Sequence, residues 1–486
     1  MFLGRFIALF SVVLFSQGTL SAEIHPKVLQ DLKNQGRIDV MVYMKDQADL
    51  TGARSILDRT ARVAFVHSQL LETANLSQKN ILAFLKKEKI ESLSYFSQNA
   101  LFVKNVNIDL VSKISAFSEV LSLGPNVESE IQFQKPIGQY ERNDRKIEKH
   151  LKTINVDKVW DQLGVRGEGI VVAGQDTGYF WKHNALKTKY RGYDQGKVNH
   201  DYNWHDAIGV TKSSPCSSGG ASPCDDKDHG THTMGSMVGD DGNGNQIGVA
   251  PGAQWIGCRN MQKGVGTVAS YMQCFDFFMA PYPVGGDPKT DGKPEMAPHI
   301  VNNSWTCPRS EGCQGDEFYQ TVLAYKAAGI MLVAAAGNNG PGCGTVSDQP
   351  GSFAGEMLVV GAWNSFLKEI AFFSSRGPSP WMNQLAPNVT APGSFVRSSM
   401  ASAVNAYDDK AGTSMASPLV AGVVALLWSH RPELIGQIDA TIDILQRSAR
   451  PIQAEDSCPG FPASQIPNAE FGYGMVDALS ALTSKK

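Results

Sequence analysis

The chain has 486 residues, more than one hydrophobic core usually organises, so two or three folded units are expected. Hydrophobic residues at 42%, charged residues at 19% and Gly (47) outnumbering Pro (24) exclude a disordered or fibrous chain and fit a globular protein with many tight turns. A formal net charge of −3, from 44 Lys+Arg against 47 Asp+Glu, supplies no electrostatic footprint for nucleic acid or an anionic membrane, and neither is expected as a partner.

At the N-terminus, Arg5 precedes the apolar run Phe6 to Phe15, and small residues lead to Ser21 and Ala22. That is the layout of a signal peptide, removed near Ala22 on export. The alternative, a membrane anchor, meets the difficulty that the apolar run is shorter than the roughly 20 residues of a spanning helix. Residues 1–22 are therefore assigned to a leader, with no anchor remaining after cleavage and a secreted product, extracellular or periplasmic.

Next, the segment 37–44 (RIDVMVYM) places Ile38, Val40, Val42 and Met44 on one face, as in a half-buried strand. Ser77 is a plausible cap for a helix over 78–89; strand-like 93–106, helix-like 109–117 and strand-like 120–123 follow, a small α+β unit. From Gln134 to Lys149 the chain turns polar and charged (QKPIGQYERNDRKIEK), an exposed linker open to proteolysis.

Beyond Leu151, apolar runs of strand length alternate with helical stretches, the pattern of a parallel sheet covered on both faces. The runs are GIVVAG (169–174), WIGC (255–258), HIVNN (299–303), IMLVAAA (330–336) and MLVVGA (357–362), with helices expected near 229–238, 267–280, 316–328 and 414–430. Chemistry in such sheets gathers at the carboxyl ends of the strands. Eight cysteines, none before 216, suit an oxidising compartment. Cys216 with Cys224 and Cys307 with Cys313 are near enough in sequence to close small loops; 258 with 274 and 343 with 458 remain by elimination. Buried free thiols are the alternative, while the lack of any CxxC pair argues against zinc.

Four short blocks carry the chemistry. Asp176 ends the first strand in QDTG, where a turn-capping Asp is the ordinary explanation. His229 opens a helix in DHGTHTMG; with His232 it is either a pair of metal ligands or a core histidine. Ser414 opens a long apolar helix in GTSMASPLVAGVVALL, where backbone N–H groups and the positive helix end favour developing negative charge, or where Ser is only a cap. Ala416 replaces the second glycine of a GxSxG elbow. Asn338 follows a strand in AAAGNNGPG.

QDTG, DHGTHTMG, AAAGN and GTSMASP, in that order, resemble the signature blocks of the subtilisin-like serine peptidases (subtilases, peptidase S8), and the segments PEMAPHIVNNSW and SSRGPSP resemble the bacillopeptidase F branch. The resemblance runs from about residue 150 onward. It implies a three-layer α/β fold with a mostly parallel, doubly wound sheet over 150–486. It implies a triad of Asp176, His229 and Ser414, in which the imidazole takes the serine proton and the carboxylate orients the imidazole. Asn338 and the Ser414 backbone N–H would form the oxyanion hole. Substrate peptides would lie as an added strand along Gly264, Val265 and Gly266 and along Ser304, Trp305 and Thr306, with Gly337 beside the oxyanion donor. Trp305 would border the pocket for the residue before the cut, or be a core aromatic. Residues 23–135 resemble an inhibitory pro-domain of the inhibitor-I9 type, ferredoxin-like, with autocatalytic cleavage between Gln134 and Lys149 and a processing linker over 136–149.

The resemblance implies protein or peptide substrates, the chain's own pro-domain as an intramolecular inhibitor, no cofactor, and a monomer. Many relatives hold calcium after the helix of the catalytic histidine, but here GDDGNGNQIG (239–248) departs from the usual ligand order. Asp240, Asp241, Asn243 and Asn245 offer hard oxygens; a solvated acidic turn is the preferred reading, and no metal is assigned. A non-catalytic relative would not need the triad together with Asn338, an esterase or ligase would use the same acyl-enzyme, and a metallopeptidase lacks the Glu of HExxH.

Overall fold

The computed structural model describes residues 22–134, 147–209, 216 and 220–484. The expected leader and most of the 136–149 linker lie outside the described residues.

The N-terminal unit is built from β1 (Glu23–Ile24), α1 (Pro26–Gln35), β2 (Ile38–Met44), α2 (Arg59–Ser77), α3 (Lys79–Lys87), β3 (Ser92–Tyr95), β4 (Ala100–Val106), α4 (Ile108–Ser115) and β5 (Val120–Pro125). Its sheet runs β1-β5-β2-β4-β3, antiparallel except where β1 lies parallel to β5. Val40, Val42, Leu101, Val103, Val106 and Leu123 face Val28, Leu32, Ile81 and Val111, closing a core on one side of the sheet. Ser77 does not cap the following helix: it is the last residue of α2, and its hydroxyl donates backward to the Thr73 carbonyl (2.8 Å). That local bond competes with the forward capping bond the spacing suggested. The expected single strand over 93–106 is a hairpin, with a turn at 96–99.

A short strand, β6 (Glu128–Glu130), leaves this unit and pairs with the second. The larger unit is centred on β7 (Val171–Asp176), β8 (Trp204–Asp206), α5 (His229–Val238), β9 (Gln254–Arg259), β10 (Val265–Thr267), α6 (Val268–Met279), β11 (Ile300–Asn303), α7 (Tyr319–Ala328), β12 (Met331–Ala335), β13 (Leu358–Asn364), β14 (Glu369–Ile370), β15 (Val389–Ser394) and α8 (Thr413–His430). Its main sheet has the order β8-β9-β7-β11-β12-β13-β14, with β15 also on β13; every pairing is parallel except β13 with β14. Strands buried on both faces explain why these segments read as unbroken apolar runs.

One face is covered by α5 and α8, the other by α6 and α7, which gives three layers. All residues of α8 from Thr413 to Trp428 are buried, so it is the central core helix, although its 18 residues are long and apolar enough to cross a membrane. The structure joins Cys216–Cys224, Cys258–Cys274, Cys307–Cys313 and Cys343–Cys458, and no described cysteine is free.

The two units share a second apolar cluster, in which Val63, Val66, Leu70 and Ala74 of α2 meet Phe278, Met279 and Ala297. Polar groups also bridge the two units there. Arg59 donates to the Ala297 and Pro298 carbonyls (2.9 and 2.6 Å), and Arg62 to those of Gly436 and Lys326 (3.1 and 3.2 Å). Asp276 of α6 accepts from the Phe96 and Ser97 amides of the hairpin turn, both at 3.0 Å. Burial pushes the Asp276 carboxyl up to about 7, against those hydrogen bonds.

Candidate active site

Asp176 is the last residue of β7 and His229 the first of α5, and His229 Nδ1 lies 2.7 Å from Asp176 Oδ1. Both are almost fully buried, at 1% and 2% exposure. Asp176 also accepts from the Thr177 amide (2.7 Å) and the Thr233 hydroxyl (3.3 Å), so its position is set from two elements. Close approach of strand end and helix start needs Gly230, because a Cβ there would stand 2.1 Å from the Gly178 carbonyl oxygen.

Asp225, a residue the sequence reading passed over, organises this corner. It accepts from the Thr177 hydroxyl (2.8 Å), from the amides of Lys227, Asp228 and Thr231 (3.0, 3.0 and 2.9 Å) and from the Thr231 hydroxyl (2.6 Å). Burial raises its carboxyl above the ordinary value, and those donors work against the rise. The signal for it was present in DHGTH's upstream acids, but nothing in the spacing separates Asp225 from Asp226 and Asp228.

Ser414 is the second residue of α8, with 7% of its surface exposed. Gly412 before the helix has φ +147, and Pro418 sits inside the first turns. Proline has no N–H to return to the carbonyl four residues back, which is that of Ser414. Ser304, just past β11, fills the vacancy: its hydroxyl donates to the Ser414 carbonyl at 2.9 Å. In return the Ser414 hydroxyl donates to the Ser304 carbonyl at 3.1 Å. A strand end and a helix start are thereby tied together around the serine.

Asn338 follows β12, and its orientation is fixed by chemistry. Its Oδ1 accepts from the Thr413 amide and hydroxyl, each at 2.9 Å, so Nδ2 is the group left to face the cleft. There it lies 3.4 Å from the carbonyl oxygen of Gln132. The Gly337 amide donates to the Thr413 hydroxyl at 3.2 Å, which steadies the same turn.

The structure brings Gly264, Val265 and Gly266 to one edge of this cleft and Ser304, Trp305 and Thr306 to another. β6 pairs antiparallel with β10, Ser129 opposite Gly266 and Glu130 opposite Val265. Ile131 N–H donates to the Gly264 carbonyl (2.9 Å), and the Ser129 hydroxyl to that of Thr306 (2.6 Å). Beside Ser414 a cavity is lined by Trp305, Gly337, Asn339, Glu311 and Asp348 among others. Trp305 borders that cavity and stacks on Tyr271 with ring centroids 3.9 Å apart, as a core aromatic would. Burial raises the Glu311 and Asp348 carboxyls above their ordinary values.

His232 is a core histidine, its Nε2 facing the Val396 and Asp408 carbonyls at 2.9 and 3.2 Å, with burial holding it well below the usual imidazole range. In the loop after α5, Asp241 accepts from the Asn243 and Asn245 amides (2.8 and 3.1 Å) and the Tyr407 hydroxyl (3.1 Å), so its oxygens cap the turn itself.

Comparison with known proteins agrees in extent with this architecture. The model of the Subtilase family matches residues 167–474. The chain is 37% identical over 446 residues to Bacillopeptidase F of Bacillus subtilis (strain 168), across 86% of this chain and 28% of that protein. It is 28% identical to Serine protease AprX of the same organism, across 65% of this chain and 66% of that one. It is 29% identical to Subtilisin of Bacillus sp. (strain TA39), across 64% and 67%. The chain thus spans little more than a quarter of the length of Bacillopeptidase F.

Proposed function

The chain belongs to the subtilase family, and on that premise we propose that it is a serine endopeptidase that hydrolyses proteins through an acyl-enzyme, with Ser414 as nucleophile. The observation that carries the reading is the buried 2.7 Å contact between His229 Nδ1 and Asp176, with consecutive residues of one strand set against His229 (Phe133) and Asn338 (Gln132). With Nδ1 committed to the carboxylate, Nε2 is the nitrogen free to act as base. Attack requires the Ser414 hydroxyl to turn from the Ser304 carbonyl and give its proton to Nε2, and the same proton then goes to the leaving amine. Asp176 keeps the tautomer and stabilises the imidazolium; Asn338 Nδ2 and the Ser414 amide receive the oxyanion. Ground for this assignment of the oxyanion donors is the Gln132 carbonyl facing Asn338 Nδ2.

The cleft edges at 264–266 and 304–306, with Gly337, bind substrate as an added strand, a mode that reads backbone first and side chains second. Residues 23–135 act as an inhibitory pro-domain and 150–486 as the peptidase, after export directed by residues 1–22 and removal of the N-terminal unit. Occupation of the cleft by β6 supports the inhibitory role.

A fluorophosphonate probe tests the centre directly. The purified protein, once free of its N-terminal unit, should carry a single adduct on Ser414; labelling elsewhere, or none, would sink the assignment.

A further inference from the structure

The geometry points to the Gln132–Phe133 peptide bond as the first bond this chain cuts in itself, N-terminal to the charged linker where composition alone placed the cut. The inference rests on the serine-peptidase reading above.

Seven residues in a row, Glu128 to Gln134, are held in the cleft on both sides of that bond. On its amino side, Glu128–Glu130 pair with Val265–Thr267, and Ile131 N–H donates to Gly264. The Glu130 amide also donates to Glu311 Oε2 at 3.3 Å. At the bond itself, the Gln132 carbonyl oxygen is the acceptor that Asn338 Nδ2 faces. On its carboxyl side, the Phe133 ring stands edge-on to the His229 imidazole, centroids 5.8 Å apart at 83°. Gln134 then bridges antiparallel to Ala411, three residues before Ser414.

Register follows from the alternation of a strand. A shift of one residue would turn the carbonyl of 131 or 133 toward Asn338 but would also exchange buried Ser129 and Ile131 for the exposed side chains at 130 and 132. A shift of two would keep the alternation but put Ser129 or Phe133 in the place of buried Ile131 and take the Phe133 ring from the imidazole. Among the described residues, only the 132–133 bond has its carbonyl at the amide donor and its following residue against the imidazole.

The balance of the step is that of peptide hydrolysis. Ser414 Oγ bonds to the Gln132 carbonyl carbon, its proton passing to His229, and the bond to the Phe133 nitrogen breaks as that nitrogen takes the proton. Water then attacks the ester, restoring the Ser414 hydroxyl and leaving a carboxylate on Gln132. The new chain end at Gln132 keeps the β6–β10 pairing, so the product remains in the cleft as an inhibitor.

The test follows newly made full-length chain by intact mass and N-terminal sequencing at early times. Expected first products end at Gln132 and begin at Phe133, and Phe133→Pro, an exposed position where a tertiary amide replaces the scissile one, should slow that cut at least tenfold. A first new N-terminus at 135–149, an unprocessed chain, or unchanged processing of Phe133→Pro overturns the bond assignment. Ser414→Ala separates the two levels. It should stay uncut; cleavage of that variant at the same bond and rate would mean another protease acts, which defeats the self-processing reading rather than the choice of bond. Where the wild-type chain stays uncut, fluorophosphonate labelling of Ser414 would leave the peptidase reading standing.

Discussion

Two of the contacts between the N-terminal unit and the rest of the molecule are of different kinds. In the cleft, a strand is held chiefly through its backbone, by β6 on β10 and by single bonds from Ile131 and Gln132. On the outer face of α6 and α7, named side chains do the work: an apolar stripe of α2, two arginines on carbonyls, and Asp276 on a turn. Backbone pairing accepts almost any extended chain, whereas side-chain matching accepts one partner. On the proposed function, the cleft would exchange occupants, and the outer face would keep the N-terminal unit near once its bond is cut.

Variants can separate these contacts. Asp176→Asn should lower kcat by about 10⁴-fold, because the amide favours the wrong imidazole tautomer. It should leave retention of the N-terminal unit on the outer face unchanged; a loss of both would show that the contacts are one cooperative structure. Asn338→Ala should cost about 10²–10³ in kcat with KM nearly constant, since it removes a donor used in the transition state. Steady-state kinetics on a chromogenic peptide checks both.

Asp276→Ala should do the converse. It strands two buried amides, each costing about 1–3 kcal/mol, so the cut unit should leave about 10²-fold faster while kcat is untouched. The delay before activity appears after dilution measures that release. An unchanged delay would place the holding energy in the cleft strand instead.

How far the sequence revealed these features depends on whether a feature is local. The parallel sheet was legible because a strand covered on both faces must be apolar throughout, and five of its runs were recognised. Val389–Ser394 was missed, since VTAPGS carries a proline and a glycine that read as a turn, although the segment lies fully buried against β13. The residues proposed for the centre could be named because each sits in a short block. The tie from Ser304 to the Ser414 carbonyl and the role of Asp225 were legible only in three dimensions: one compensates a proline more than a hundred positions away, the other gathers donors from Thr177 as well as from its own loop. The charge pattern of 134–149 drew attention to the linker, but strand register, which no composition reports, singles out the bond before it.

The outer face also holds a titrating group, and it gives the smallest and most specific test. His67 falls on the same side of α2 as Val63, Leu70 and Ala74, edge-on to Phe96, and burial pushes it down to about 4 from its ordinary 6.5. The docked state therefore binds fewer protons than the released one between pH 4 and 6.5, so docking strengthens as pH rises through that window and is lost as pH falls toward 4. Asp276 has the opposite sign: with its carboxyl raised to about 7, its share of docking weakens as pH rises toward and through that value. Comparing wild type with His67→Phe cancels the Asp276 share. Release rates of the two should agree above pH 7, and at pH 5.5 the wild-type unit should leave about tenfold faster. Parallel pH profiles would mean that His67 keeps its surroundings when the unit departs, and would shift the boundary between the two regions away from α2.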